Sequence, residues 1–299
     1  MSSSSLLTVF TPTYNRCREL GRLYESLCAQ TDMRFEWLVV DDGSVDGTEK
    51  LAARWVNEAP FPVRYIRQAN RGKHVAHNRG AKEAAAQLFM CVDSDDWLEP
   101  FAVETIICDS TALDAEESLL YPRLFASQTS LDTWFPEEVD KIELSDMRMK
   151  YRLIVETAIV FNTEVLRRHP FPVVEGERYM PEGSAYYDFR APELFLVRNA
   201  VFYRCEYLDE GLTRNIWSNW LRNPIGTALS LVKRYSAACR YAGFRGLRER
   251  FAVLAGLESL NMALGKNAFS DCPNDGALAI AAFPVAAYLR RKRFGKVSS

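Results

Sequence analysis

The first hundred residues alternate short apolar runs with stretches of helical periodicity, and that alternation is the signature of a parallel α/β sheet. Residues 6–11 and 35–40 read as buried strands. Between them Leu20, Leu23, Tyr24 and Leu27 recur at helical spacing, as an amphipathic crossover requires. Residues 63–67 read as a weaker third strand, residues 76–86 as a helix with His77 and Asn78 in its first turns, and residues 88–92 as a fourth strand running into Asp93. Polar clusters follow three of these strands, at residues 11–16, 41–44 and 93–96. At the carboxyl edge of an open α/β sheet the loops meet helix N-termini that can face phosphate groups, so three clusters at one edge imply one shared site.

The chain has 299 residues, 48% of them hydrophobic, which is enough for a sizeable core and near the upper length for one domain. From about residue 118 to 208 the pattern turns irregular, with short strands at 119–125, 158–161 and 201–207. This reads as an α+β extension that closes over the sheet; after Pro224 the sequence reads helical almost to its end. A formal net charge of -2 gives no general cationic field, which places nucleic acid low among partners. Seven scattered cysteines, never at CxxC spacing, argue against a zinc site or disulfide scaffold and suit a reducing, cytoplasmic setting. No signal peptide is recognised at the start. The apolar stretch 277–289 is short and interrupted by Pro284, so no membrane span is expected.

The strongest chemical signal is VDSDDW at residues 92–97. Three carboxylates within four residues repel one another unless a cation neutralises them or water solvates them, and a hard divalent ion sharing a nucleotide diphosphate is the natural partner. A solvated turn capping the helix that begins near Pro100 is the plain alternative. The second signal is DDGSVDGT at 41–48, where a strand-end carboxylate can accept from a base N–H or from ribose hydroxyls and Gly43 permits the tight turn. Asp46 and Thr48 equally suit the cap of the next helix. In TPTYNR at 11–16, Pro12 stiffens the loop and Tyr14 offers a face for a base; an ordinary βα turn explains the segment as well.

Together and in order, TPTYNR, residues 37–48, NRGKHVAHNRG at 70–80 and VDSDDW resemble the family 2 glycosyltransferases of the GT-A fold, bacterial polysaccharide type. The resemblance implies a Rossmann-like, mainly parallel sheet flanked by helices. Its domains would be a GT-A catalytic domain over residues 1–215, with a nucleotide-sugar half (1–115) and an acceptor half (116–215), and a C-terminal helical extension over 216–299. It further implies that Thr11, Pro12, Tyr14 and Asn15 line the nucleotide pocket, that Asp42 binds base or ribose, and that Lys73, Asn78, Asp93 and Ser94 also contact the nucleotide. Asp93 and Asp95 match the family's DxD, with Asp95, Asp93 and Asp96 as candidate ligands of Mn²⁺ or Mg²⁺. The implied reaction is inverting transfer from a nucleotide sugar, a UDP-sugar first, onto a glycan or lipid-linked acceptor.

An inverting transferase needs a general base for the acceptor hydroxyl. In the family this is an acid of an E-D-like motif downstream of the DxD. Pro181-Glu182-Gly183 is the nearest match, with Gly183 where a second carboxylate is expected. Glu182 is therefore the assigned base, with Asp188 and then Glu177 behind it. The loop Tyr207 to Arg214 resembles one that folds over the diphosphate in polysaccharide-building members, where Arg214 would assist the leaving group. His74, His77 and His169 lack metal-ligand spacing and read as local hydrogen-bonding residues; Trp134, Phe135, Trp217 and Trp220 read as core or as sugar-stacking rings. The basic run 290–296 after an apolar helix suits either a solvated tail or peripheral contact with an anionic membrane. No GxGxxG or phosphate loop follows a strand, which disfavours an oxidoreductase or a nucleotidyltransferase. A nucleotide-sugar-binding subunit without turnover is the rival from a different class.

Overall fold

Four apolar runs become four parallel strands: β1 (Leu7–Thr13), β2 (Phe35–Asp41), β3 (Val63–Arg67) and β4 (Leu88–Cys91), lying side by side in the order β3-β2-β1-β4. The computed structural model describes residues 5–206 and 215–295. β1 and β2 are buried along their whole length, which is why their sequences run apolar without alternation. Helix α1 (Glu19–Cys28) buries Leu20, Leu23 and Leu27 and stacks Tyr24 on Trp55 of α2 (Thr48–Glu58), with ring centroids 4.6 Å apart.

Helix α3 (Lys73–Glu83) begins three residues before the expected start, because Gly72 at φ 98° turns the chain into it. It lies directly on β1: a Cβ at Gly80 would stand 2.3 Å from the Phe10 ring. Beyond β4 the sheet changes direction. The strand β8 (Thr157–Asn162) inserts antiparallel between β4 and β6 (Ser118–Phe125), and β10 (Tyr203–Cys205) runs parallel to β6. The short strand β5 (Trp97–Leu98), which follows the acidic turn at once, pairs antiparallel with β10 and so ties that turn to the far part of the sheet.

The described chain divides into two units, within the bounds Met1–Leu144, Leu153–Pro170 and Arg190–Leu208 for the first and Ser145–Arg152, Phe171–Phe189 and Asp209–Ser299 for the second. The sheet belongs to the first. The second is built on α8 (Ile216–Arg222), α9 (Pro224–Ala238), α10 (Gly243–Ala263) and α11 (Gly276–Phe294), packed around Leu231, Val253, Leu254, Leu257 and the small Ala279, Ala282 and Ala286. Residues 145–152 and 171–189 group with these helices, although the sequence places them in the acceptor half. The reason is specific bonding: Glu177 accepts from the N–H groups of Ile225 and Gly226, both at 2.7 Å, which caps α9, and Arg148 Nε donates to Glu249 on α10 at 3.0 Å.

Glu258 on α10 is fully buried, and neither carboxylate oxygen has a hydrogen-bond partner. Burial pushes its carboxyl up to about 7. The unfolded chain ionises first as pH rises, near the ordinary glutamate value of about 4.3, so this group removes stability between there and pH 7. Glu258→Gln is expected to exceed the wild type in unfolding free energy by about 3 kcal/mol at pH 8, with the difference vanishing toward pH 4. Urea unfolding at the two pH values measures it; a constant difference would contradict the burial of an ionising acid.

Candidate active site

The carboxyl ends of β1 and β2 are stitched together by their own polar residues. Asn15, held at φ 52°, donates its N–H to Ser44 Oγ at 2.8 Å and accepts from the Val45 N–H at 2.9 Å. Asp41 is consumed within this edge, accepting from the Ser44 N–H and from the Tyr65 hydroxyl. Asp42 is held by the next loop: it accepts from Gln68 Nε2 at 2.8 Å and from the N–H groups of Arg71 and Gly72 at 3.0 and 2.7 Å. This clamp fixes the start of α3. Tyr14 stands half-exposed beside the edge, whereas Thr11 turns into the core and accepts from Trp37 Nε1 at 3.0 Å. Thr13 keeps a buried hydroxyl with no partner, a polar atom that a ligand at this edge can satisfy.

Across the edge lies the acidic turn. Lys73, the first residue of α3, brings Nζ to 2.7 Å from Asp93 Oδ1. Burial raises the Asp93 carboxyl, but the ammonium of Lys73 and the guanidinium of Arg123 outweigh it and hold the group below the usual carboxylate range. Burial and the neighbouring Asp93 charge raise Asp95, which makes no ion pair with a described residue. Asp96 is buried and turned inward. Its Oδ2 accepts from the Tyr203 hydroxyl at 2.7 Å, its Oδ1 from the Glu206 N–H at 3.3 Å, and burial together with Asp93 pushes it up to about 7. The Tyr203 hydroxyl also accepts from the Asp93 N–H at 3.0 Å, and the Arg123 guanidinium lies 4.0 Å over the Tyr203 ring. On the other side Arg22 stacks 4.1 Å over Trp97 and donates to the Asp95 carbonyl.

Residues 8–152 match the family model described as "Glycosyl transferase family 2". They belong to that family. A 107-residue stretch is 36% identical to an uncharacterised glycosyltransferase, YibD, of Escherichia coli, covering 36% of this chain and 31% of that protein. The chain thus spans about a third of the length of that curated relative. Among solved structures, TarS 1-349 of S. aureus in complex with UDP-GlcNAc superposes with a TM-score of 0.58 at 16% identity over 96% of this chain and 92% of that one. The mannosyltransferase PcManGT from Pyrobaculum calidifontis, in complex with GDP-Man and Mn²⁺, gives 0.51 at 17% identity over 97% and 88%. At such identities the likeness concerns the fold, and the fold is GT-A, as the motif order predicts.

Within this family 2 domain, Tyr14, Asn15, Asp42, Lys73 and Asp93 gather around one sheet edge, with Pro12 in β1, Asn78 half-buried on α3 and Ser94 buried in the acidic turn. Asp96 does not join an open metal set, because both its oxygens are bonded inside the protein. Among the described residues no group of three or more His, Cys, Asp or Glu is arranged to hold a metal ion. What remains, Asp93 and Asp95, suits a divalent cation that takes one or two carboxylates and completes its shell from a diphosphate. The histidines differ from expectation in part. His74 is buried with no partner for either ring nitrogen, and His77 packs edge-on against Phe10 and Phe89, with burial taking its pKa to about 3. His169 has the local bond expected, to Glu193 at 2.7 Å. Trp134 donates to the Arg198 carbonyl and packs edge-on against Phe135, and Trp217 packs on Trp220 and Phe294, so these rings serve packing. Residues 207–214, with Arg214, lie outside the described residues.

Arg22, Arg123 and Tyr203 are the positioning residues that sequence reasoning missed. The Tyr203 hydroxyl both donates to Asp96 and accepts from the Asp93 N–H. Tyr203→Phe removes the hydroxyl hydrogen bonds to a buried carboxylate oxygen and to an N–H, an expected cost of about 1–3 kcal/mol in stability. Binding of a nucleotide diphosphate with Mn²⁺ is expected to weaken about 10- to 100-fold, as for lost outer-shell support. Calorimetric titration reads this; unchanged affinity would deny Tyr203 a positioning role.

Proposed function

We propose that the chain transfers a sugar, with inversion, from a nucleotide-diphosphate sugar to an acceptor hydroxyl in glycan or cell-surface polysaccharide assembly, with a UDP-sugar as donor. The carrying observation is the convergence on one sheet edge of the Asp42 clamp, the N-terminus of α3 with Lys73, and the turn holding Asp93 and Asp95. Tyr14 would cover the base, the Thr13 hydroxyl would meet the nucleoside, and Lys73 would exchange its bond to Asp93 for one to a phosphate oxygen. The helix N-terminus adds positive potential at the same place. A Mn²⁺ or Mg²⁺ ion held by Asp95 with Asp93 would supply charge against the departing diphosphate. Solved structures of the same fold with UDP-GlcNAc, and with GDP-Man and Mn²⁺, support a nucleotide-sugar donor of this kind.

Glu182 is the proposed base. It is exposed at the start of α7 (Gly183–Tyr186), and its side chain accepts no capping hydrogen bond, unlike Glu177, which is committed to α9. Asp188, the other candidate, has both oxygens on Lys233 Nζ, at 2.8 and 2.6 Å, and is a structural ion pair in this arrangement. The absence of a second carboxylate at Gly183 favours one further reading, a donor-binding subunit without turnover. A thermal-shift panel of nucleotide sugars with and without Mn²⁺, followed by assay of free nucleotide release with candidate acceptors, separates the two. Stabilisation with release supports the transferase, stabilisation alone supports the binding subunit, and neither response rejects the site.

A further inference from the structure

The near-neutral total charge conceals a strongly polar distribution. Residues 1–215 carry 24 Lys and Arg against 35 Asp and Glu, a net charge of -11, whereas residues 216–299 carry 13 against 4, a net of +9. Such asymmetry between parts of one chain points to a partner for the basic part.

Helix α11 shows what that partner is. From Gly276 through Leu289 it has no charged residue. Its inner face, with Ala279, Ala282 and Ala286, is buried in the helical core. Its outer face is apolar as well: Ile280 is 70% exposed and Tyr288 62%, with Pro284 between them and Phe283 and Val285 each at 40%. Phe283 stacks on Phe269, itself exposed, at 5.8 Å, which widens the apolar surface beyond the helix. Positions 280, 284, 288 and 291 follow the helical repeat, so the stripe leads straight into Arg291, with Arg290 and Lys292 beside it. Those three side chains are exposed and make no ion pair with a described residue. Arg293, by contrast, turns inward over the Trp217 ring at 4.6 Å.

An exposed apolar face continuous with unpaired cations is what a surface needs to lie in an anionic lipid interface, with rings and aliphatic groups among the acyl ends and arginines at the headgroups. It is the continuity of this apolar surface, rimmed by cations, that marks an interaction site. No described helix is long and apolar enough to cross a membrane. We propose that the outer face of α11 with Arg290, Arg291 and Lys292 is a docking surface for an anionic bilayer. This inference stands apart from the assignment of the donor site.

The test is flotation of the full chain with vesicles of phosphatidylcholine alone or with added phosphatidylglycerol. The expected result is binding to the anionic vesicles only. The triple change Arg290→Gln, Arg291→Gln, Lys292→Gln is expected to lower the partition coefficient on the order of 100-fold, from about fivefold per cation near the surface. Ile280→Asp with Tyr288→Asp is expected to abolish binding while thermal unfolding and nucleotide binding stay as in the wild type, since both residues are exposed. Absence of wild-type binding at low salt would overturn the proposal. So would binding that survives the Asp changes and is matched by a polyanion such as heparin, which would mark a purely electrostatic site. A wild-type dimer in light scattering that the Asp changes convert to monomer, with no vesicle binding by either, would assign the face to a second copy instead.

Discussion

Asp95→Asn is expected to lower kcat/KM for sugar transfer on the order of 10³-fold, the several kcal/mol that a cation contributes against leaving-group charge. Asp95 is the acid of the turn without an ionic partner among the described residues, and burial and Asp93 both push it toward its neutral form. It is therefore a site where charge is kept at a cost to the ligand-free protein. Removing that charge relieves repulsion, so the variant is expected to unfold at the same temperature as the wild type or slightly higher. Loss of turnover with retained or raised stability distinguishes a functional acid from a structural one. A variant that turns over normally, or that fails to fold, would contradict this assignment.

Glu182→Gln is expected to reduce kcat about 10²- to 10⁴-fold while leaving donor affinity unchanged, because a general base acts on the acceptor proton and not on the nucleotide. Asp188→Asn supplies the contrast. Its ion pair with Lys233 is about 40% exposed on both sides and contributes roughly 0–1 kcal/mol to stability. Its turnover is expected to stay within a few-fold of the wild type. Steady-state kinetics with separate variation of donor and acceptor reads both variants. If Asp188→Asn is the inactive one and Glu182→Gln is normal, the base assignment moves to Asp188.

Strands β1 to β4 were legible because each is a local apolar run, and the clusters after them were legible because a strand end fixes where its next residues lie. The Gly72 turn, the bonding of Asp42 and the pairing of Lys73 with Asp93 all arise within that local frame. The support of the acidic turn was not legible. Arg123 and Tyr203 reach it from β6 and β10, and no periodicity in 93–96 tells which of its three carboxyls turns inward. Only the pairing of β5 with β10 brings the Tyr203 hydroxyl to Asp96. For the same reason residues 171–189 read as part of the sheet domain: the bond from Glu177 to the start of α9 joins residues nearly fifty positions apart.

Net charge misled in a different way. The value of -2 averages an acidic region, residues 1–215, with a basic helical one, and a total cannot reveal its own partition. The apolar stretch of α11 was visible, but whether Ile280 and Tyr288 face the core or solvent depends on how α11 rolls against α10. Pro284 does not end the helix, which continues through it to Phe294.

The most direct test of the central claim is a crystal structure with UDP and Mn²⁺, the metal located by its anomalous signal. The predicted result is a manganese peak bonded to Asp95 and the diphosphate, the base beside Tyr14 and Asp42, Lys73 released toward phosphate, and Asp96 still bonded to Tyr203. A nucleotide bound away from the ends of β1 and β2, or a metal peak with no carboxylate of residues 93–95 in its shell, would contradict it.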